Sequence, residues 1–287
     1  MAIPFFLIDA FTDTPFAGNP AGVCLLTHPA PDSWMQQVAA EVGASETAFV
    51  IDPTTERPTL RWFTPTDEVD LCGHATLAAA FALQHANLAP PNAITFATAS
   101  GPLTATYMET GIALDFPADP VTEASLPEGL LHACGIAAIP VWTGHSSRDW
   151  LIHLPTAHAV HEATPDMEAL AAFDTRGVIL TAPAEAQDAH DIVSRFFAPR
   201  VGVPEDPVTG SAHCALGPYW SQQLNQQTVV GYQASPRGGT VVVEIPPRSD
   251  DGSARVTLRG TCRLTIEGTL AAHPTSPDAA PPQSSSR

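Results

Sequence analysis

One stretch of this sequence is present twice, and the repetition limits the folds that the chain can adopt. The first copy begins at Arg61 and reads RWFTPTDEVDLCGHATLAAA, and the second begins at Arg195 and reads RFFAPRVGVPEDPVTGSAHCALG. Each copy begins with a basic residue followed by aromatic residues. A Phe-x-Pro sequence comes next, and a glycine then begins an apolar segment. Gly73 corresponds to Gly210 after an insertion of three residues. We interpret the repeat as an internal duplication, with two similar lobes related by a pseudo-twofold axis.

An apolar segment follows each of these two glycines, over residues 73–85 and 210–224. The first segment is apolar on nearly every side, which predicts a buried helix. Runs of β-forming residues between turn signals predict strands in both halves. The predicted strands cover about 3–10, 23–26, 48–51, 59–63, 94–97, 103–108, 112–116, 138–143, 150–154, 177–181, 240–245, 255–259 and 262–268.

Proline-rich segments suggest how the chain is divided. Three prolines between residues 117 and 127 indicate a connection between lobes, so we expect a first lobe over 1–118 and a second over 119–270. The SDDG sequence at 249–252 predicts a tight turn. Residues 271–287 are rich in proline and serine and predict a disordered tail.

Composition excludes several classes of protein. The chain has 30 acidic and 12 basic residues, a formal charge of −18, and such a surface repels nucleic acid. The N-terminal segment lacks the basic region of a signal peptide, and no apolar stretch is long enough to cross a membrane. The 5 cysteines include no CxxC pair, which argues against a disulfide framework or a structural zinc site. We therefore expect a cytoplasmic protein without nucleic-acid or membrane partners.

The two predicted helix starts indicate an anion site. A helix N-terminus presents unpaired N–H groups and the positive end of the helix dipole. Gly73 and Gly210 allow a ligand to approach the backbone closely because they have no Cβ. His74 and Ser211 follow them and can each add a side-chain donor. Two such helix starts facing one cleft suit a carboxylate or an enolate.

Three further side chains are candidates for acid–base chemistry. Glu46 stands at the entry to a predicted strand, where partial burial should raise its pKa toward a useful range. Asp206 precedes the second helix. Cys72 precedes Gly73, and a thiol at a helix N-terminus should have a lowered pKa. The second copy has Thr209 at the matching position, so the sequence lacks the second thiol of a two-thiol racemase.

Four motifs together resemble the PhzF-like family of phenazine biosynthesis. They are GNPAGV, SETAFV, LCGHATLAAA and DPVTGSAH, and the resemblance runs from about residue 6 to residue 268. It implies the fold of diaminopimelate epimerase. That fold is of the α+β class and has two pseudo-symmetric lobes, each a β-barrel-like sheet wrapped around a central apolar helix.

The resemblance also implies a function. The family includes an isomerase that works by acid–base catalysis without metal or cofactor, and it is commonly homodimeric. The acid–base residue would be Glu46, acting on a small unsaturated carboxylate substrate. The substrate-binding residues would be Gly73, His74, Asp206, Gly210 and Ser211.

Two other functions stay open at this point. Cys72 favours a racemase or epimerase of amino or hydroxy acids, in which the thiol serves as one base. The same cleft could also belong to a protein that binds a small acid without turning it over.

Overall fold

The computed structural model describes residues 2–246 and 254–274. The predicted turn at 249–252 and residues 275–287 of the predicted tail lie outside this part of the chain. The strands are β1 (Ile3–Ala10), β2 (Asn19–Leu26), β3 (Glu46–Ile51), β4 (Thr59–Phe63), β5 (Glu68–Val69), β6 (Ala93–Thr98), β7 (Gly101–Met108), β8 (Gly111–Pro117), β9 (Thr122–Glu123), β10 (Trp142–His145), β11 (Asp149–His153), β12 (Gly177–Pro183), β13 (Ile192–Phe197), β14 (Thr228–Gln233), β15 (Gly239–Glu244), β16 (Arg255–Gly260) and β17 (Cys262–Leu270). The helices are α1 (Asp32–Val42), α2 (Gly73–His85), α3 (Leu130–Ala133), α4 (Ala157–His161), α5 (Met167–Ala171) and α6 (Gly210–Leu224).

The strand pairing repeats itself in the two halves of the chain. In the first half β1 is antiparallel to β2, β2 parallel to β3, β3 antiparallel to β4, β4 parallel to β6, and β6, β7 and β8 follow in antiparallel order. The strands β10, β11, β12, β13, β14, β15 and β16 pair in the same sequence of directions. This agreement supports the internal duplication.

The halves are joined by pairing as well as by the chain. β8 is antiparallel to β16, so the two ladders are continuous. β9 follows the first ladder in sequence but pairs with β10, whereas β17 follows the second ladder and pairs with β1. β17, which falls within the predicted second lobe of residues 119–270, thus forms its hydrogen bonds with a strand of the first half. The division at residues 118 and 119 stays a prediction.

Helix α2 is enclosed by strands of the first half, and its bounds are those predicted. It packs against β1, β2, β3, β7, β8 and β17. Its alanines at 75, 78, 79, 80 and 82 are fully buried, because strands this close leave room only for small side chains. Helix α6 also has its predicted bounds and packs against β14, β15 and β16. None of the helices in the described residues is long and apolar enough to cross a membrane.

An arginine–glutamate pair is repeated in the two lobes. Arg61 bonds both oxygens of Glu68, each at 2.7 Å, and Arg195 bonds both oxygens of Glu205 at 2.7 and 3.0 Å. Each arginine also lies over the ring of the phenylalanine two residues later. Each glutamate stands five residues before the glycine that begins α2 or α6. The pair fixes the loop that leads into each helix.

The alanine face of α2 gives a prediction about stability. Replacing Ala79 by Leu should lower the free energy of unfolding by about 1–3 kcal/mol, because the enclosed helix has no space for the added carbons. Gln84→Leu, on the exposed side of the same helix, is the matched control. It should change the free energy of unfolding by less than about 0.5 kcal/mol. Urea denaturation followed by circular dichroism measures both. Equal effects of the two variants would show that α2 is not enclosed.

Candidate active site

The N-termini of α2 and α6 meet, as the sequence predicted. A Cβ added to Gly73 would lie 3.9 Å from the Cα of Gly210, and one added to Gly210 would lie 3.8 Å from the Cα of Gly73. The residues before the helices, Cys72 and Thr209, have extended backbones, and neither caps its helix with its side chain. The first-turn N–H groups of both helices are thus directed at one place without a side-chain cap.

Glu46, Cys72 and His74 lie together beside this meeting point. Glu46 is the first residue of β3, and its Oε2 lies 3.1 Å from Nε2 of His74 in the first turn of α2. Sγ of Cys72 lies 3.5 Å from Nδ1 and 4.0 Å from Nε2 of the same imidazole. One potential ligand atom from each of the three residues falls within 4.8 Å of the others.

The charges of this cluster differ from what the sequence suggested. Burial acts to raise the pKa of Glu46, but the neighbouring His74 outweighs it and holds that pKa below its ordinary value. Burial acts to lower the pKa of His74, but Cys72 and Glu46 outweigh it and raise that pKa well above the ordinary value. The predicted rise for Glu46 is therefore wrong, and both directions favour a carboxylate–imidazolium pair between the half-buried Glu46 and the buried His74.

The thiol of Cys72 also departs from the prediction. Burial raises its pKa, and the charge of Glu46 raises it further. The predicted lowering by the helix terminus is thus wrong, because desolvation and a nearby carboxylate outweigh the helix dipole. The thiol stays protonated at neutral pH, which weakens its candidacy as a base.

Asp206 approaches from the other lobe. Its Oδ1 accepts a hydrogen bond of 2.9 Å from Asn19, and its Oδ2 accepts one from Thr209. Asn19 in turn accepts a bond of 2.9 Å from Ser45, the residue before Glu46. Burial raises the pKa of Asp206 to about 6. These bonds connect the loop that carries Glu46 to the loop that leads into α6.

Ser211 is held by an arginine that the sequence did not single out. Nη1 of Arg176 donates to Oγ of Ser211 at 3.0 Å, and the same guanidinium forms a bidentate pair with the buried carboxylate of Asp149. Because Ser211 accepts from Arg176, its own hydroxyl hydrogen is directed elsewhere. No motif marked Arg176, since its role depends on a partner 35 residues away.

The strand registers show that the two lobes carry different residues at equivalent positions. In β3 the residue after Glu46 pairs with Phe63 of β4, and in β12 the residue after Gly177 pairs with Phe197 of β13. Glu46 is therefore equivalent to Gly177, and Arg176 is the next residue toward the N-terminus. The first lobe contributes a carboxylate at this position, whereas the second has no titrating side chain there.

An open groove of about 500 Å³ lies beside the site on the side of the second lobe. Arg176 lines it and also bonds Ser211, so the groove connects to the start of α6. Glu46 and His74 do not line it. The groove is lined by His145, Ser147, Arg148, Asp174, Thr175, Arg176, Arg200 and Val201.

Comparison with known proteins decides the family. A family model described as "Phenazine biosynthesis-like protein" (PhzC-PhzF) matches residues 8–268. The chain belongs to this family. An uncharacterized isomerase of Halalkalibacterium halodurans is 46% identical over 249 residues, which is 85% of this chain and 92% of the relative.

Solved structures agree with the family assignment. A phenazine biosynthesis protein of the PhzF family from Enterococcus faecalis superposes with a TM-score of 0.87 at 39% identity, covering 95% of this chain and 100% of that one. A hydroxyproline epimerase from Agrobacterium vitis shares the fold alone, with a TM-score of 0.58 at 10% identity over 94% of this chain and 92% of that one. The predicted epimerase-like α+β fold is confirmed. The family and a relative named as an isomerase support isomerase activity in general.

The facing glycines give a prediction about anion binding. Gly73→Ala should fold, because the added Cβ meets only ordinary contacts of 3.6 Å or more. The methyl group would nevertheless lie between the two helix starts. Benzoate should raise the melting temperature of the unsubstituted protein, and Gly73→Ala should abolish that rise. Thermal denaturation with and without benzoate measures this. Gly268→Ala, which adds its methyl in open space, is the matched control and should keep the full rise. A rise retained by Gly73→Ala would place the anion elsewhere.

Proposed function

We propose that this protein is a cofactor-independent isomerase that moves a proton between two carbons of a small unsaturated carboxylate. One observation carries the proposal: Oε2 of the half-buried Glu46 lies 3.1 Å from Nε2 of His74, beside the place where two helix N-termini meet. This arrangement puts a proton-transfer group next to a site that favours negative charge.

The helix starts would hold the substrate's carboxylate. Uncapped N–H groups and two aligned dipoles stabilise an anion, and they stabilise it more as further negative charge develops in the conjugated system. Ser211 adds a donor, because its hydroxyl oxygen already accepts from Arg176 and its hydrogen is left for a ligand. The site thus binds the ground state and stabilises the enolate-like intermediate more strongly.

Glu46 would carry the proton. Its Oε2 is buried, and no donor among the described residues is aligned to hydrogen-bond with it, although Nε2 of His74 is close. The ionised carboxylate takes a proton from one carbon, and the electron pair of the broken C–H bond enters the conjugated system. The protonated carboxyl, whose proton can exchange with the solvent, then delivers a proton to a second carbon, so no atom is lost or gained.

The two lobes favour this reaction over two-base racemisation. A racemase that removes a proton from one face and returns another to the opposite face needs a base on each side. The positions equivalent to Glu46 and Cys72 in the second lobe are Gly177 and Thr209, and neither titrates in the relevant range. One base used twice on a single face is the mechanism consistent with this asymmetry.

The role of Glu46 can be tested against that of Cys72. Glu46→Gln keeps the shape of the side chain but removes the titrating group, and it should slow proton exchange into a bound unsaturated carboxylate by about 100- to 10,000-fold. Cys72→Ser is the comparison and should slow the exchange by about tenfold or less. NMR of the ligand in deuterated water measures the rates.

The outcome also separates the remaining functions. Loss of exchange in Cys72→Ser with full exchange in Glu46→Gln would favour the racemase. A ligand that raises the melting temperature of the unsubstituted protein but never exchanges a proton would favour a binding protein without catalysis.

A further inference from the structure

Asn19, the first residue of β2, is a fully buried polar side chain that joins the two lobes. Its Nδ2 donates to Oδ1 of Asp206 and to the backbone oxygen of Val208, each at 2.9 Å. Its Oδ1 accepts from Oγ of Ser45 at 2.9 Å, and Ser45 directly precedes Glu46. One amide group thus contacts both the loop that carries the proposed base and the loop that carries Asp206.

The partners of this amide fix its orientation. An amide nitrogen has two N–H donors, and here both point at oxygens that can accept a hydrogen bond, one on a carboxylate and one on a backbone carbonyl. The amide oxygen meets a hydroxyl group, which can donate. With both of its N–H groups used inside the protein, Asn19 acts through its neighbours and not on a substrate.

The second lobe holds the Asp206 loop from its other side. Gln233 is also fully buried, and its Nε2 donates to the backbone oxygen of Asp206 at 2.8 Å. Its Oε1 accepts from the backbone N–H of Thr209 at 2.8 Å, and the hydroxyl of Thr209 donates to Oδ2 of Asp206. These bonds lie within the second lobe. Among the described residues, the carboxylate of Asp206 is hydrogen-bonded to the first lobe through Asn19.

We propose that Asn19 is a positioning residue that sets the carboxylates of Glu46 and Asp206 relative to each other across the cleft. The proposal rests on the proposed function, because it gives Asn19 a part in the same proton transfer. Misplacement of a reacting group by about 1 Å can cost about 100-fold in rate. Breaking the links that Asn19 makes should therefore slow proton transfer even in a protein that remains folded.

Asn19→Asp tests the contact with Asp206 without changing the size of the side chain. Two carboxyl groups would then face each other, and one of them would keep a proton, because like charges raise the pKa of one member of the pair. The shared proton holds the lobes together at low pH, and this stabilisation is lost as the pH rises through the raised pKa. The melting temperature of the variant, relative to the unsubstituted protein, should therefore fall between about pH 5 and about pH 8.

Asn225→Asp is the matched control for this measurement. It makes the same substitution at the exposed end of α6, where Asn225 ends the helix away from the cleft. Its melting temperature should follow that of the unsubstituted protein over the same pH range. An equal pH dependence of the two variants would show that Asn19 does not contact Asp206 and would overturn the proposal.

Proton exchange into a bound unsaturated carboxylate tests the role of the contact. At about pH 8, Asn19→Asp should exchange about 100-fold more slowly than the unsubstituted protein. At about pH 5 the shared proton restores one hydrogen bond, and the difference should shrink to about tenfold or less. Circular dichroism checks that the variant is folded at both pH values. The same fold-change at both values would contradict a positioning role.

Ser45→Ala tests the link to Glu46 by itself. It removes only the hydroxyl that donates to Asn19, so it should slow the exchange by about tenfold and keep the rise in melting temperature that benzoate should cause. Ser221→Ala, which removes a hydroxyl bond of 2.6 Å near the other end of α6, is the matched control and should keep both. Full exchange in Ser45→Ala, or loss of the benzoate effect together with exchange, would overturn this link.

The two kinds of measurement separate this proposal from the proposed function. The pH dependence of the melting temperature requires no reaction, so it reports the contact between Asn19 and Asp206 in any case. If the unsubstituted protein exchanged no proton while the melting temperatures behaved as expected, the proposed function would be wrong. The catalytic part of the role of Asn19 would be wrong with it, and the contact between the lobes would stand.

Discussion

The approach of two helix N-termini is the constraint on which the rest of the structure depends. Gly73 and Gly210 come close enough that a side chain on either would meet the backbone of the other. Each helix is held in place by the ladder of its own half, and β8 and β16 join the two ladders. The halves are also joined by two further strands, since β9 pairs with β10 of the second half and β17 pairs with β1 of the first. Negative charge nearby stabilises two positive helix ends held this close, and Glu46 and Asp206 supply it.

The duplication supplies a symmetric frame, and the chemistry depends on how the halves have diverged. The paired arginine and glutamate before each helix have been kept in both lobes. The residues around the cleft differ between the lobes. Glu46 faces His74 in the first lobe, whereas the second lobe has Gly177 in the place of Glu46 and Ser211 in the place of His74. At these positions the first lobe carries the groups that titrate. The second holds a hydroxyl oriented by Arg176, which suits binding more than proton transfer, and it also contributes Asp206, whose pKa burial raises to about 6.

The sequence predicted what depends on local pattern or on repetition, and it failed where distant contacts decide. Both long helices and the meeting of Gly73 with Gly210 followed from apolar periodicity and the repeated segment. Helices α3, α4 and α5 have only four or five residues, too few for a periodicity to be read. Strands β13 and β14 were also missed, although each pairs antiparallel with a neighbouring strand in the sequence, β12 and β15. The pKa directions of Glu46 and Cys72 were predicted wrongly, because a lone side chain does not reveal its partner His74 or the depth of its burial.

The central claim is that one base, on one lobe, does all the proton transfer, and the stereochemistry of exchange tests it most directly. An unsaturated carboxylate that is turned over in deuterated water can be analysed by NMR for the face on which deuterium enters. We expect deuterium on a single face of the substrate, with removal and return of the proton on that same face. Deuterium on both faces, or inversion of a stereocentre, would require a second base on the other lobe and would contradict proton transfer by Glu46 alone.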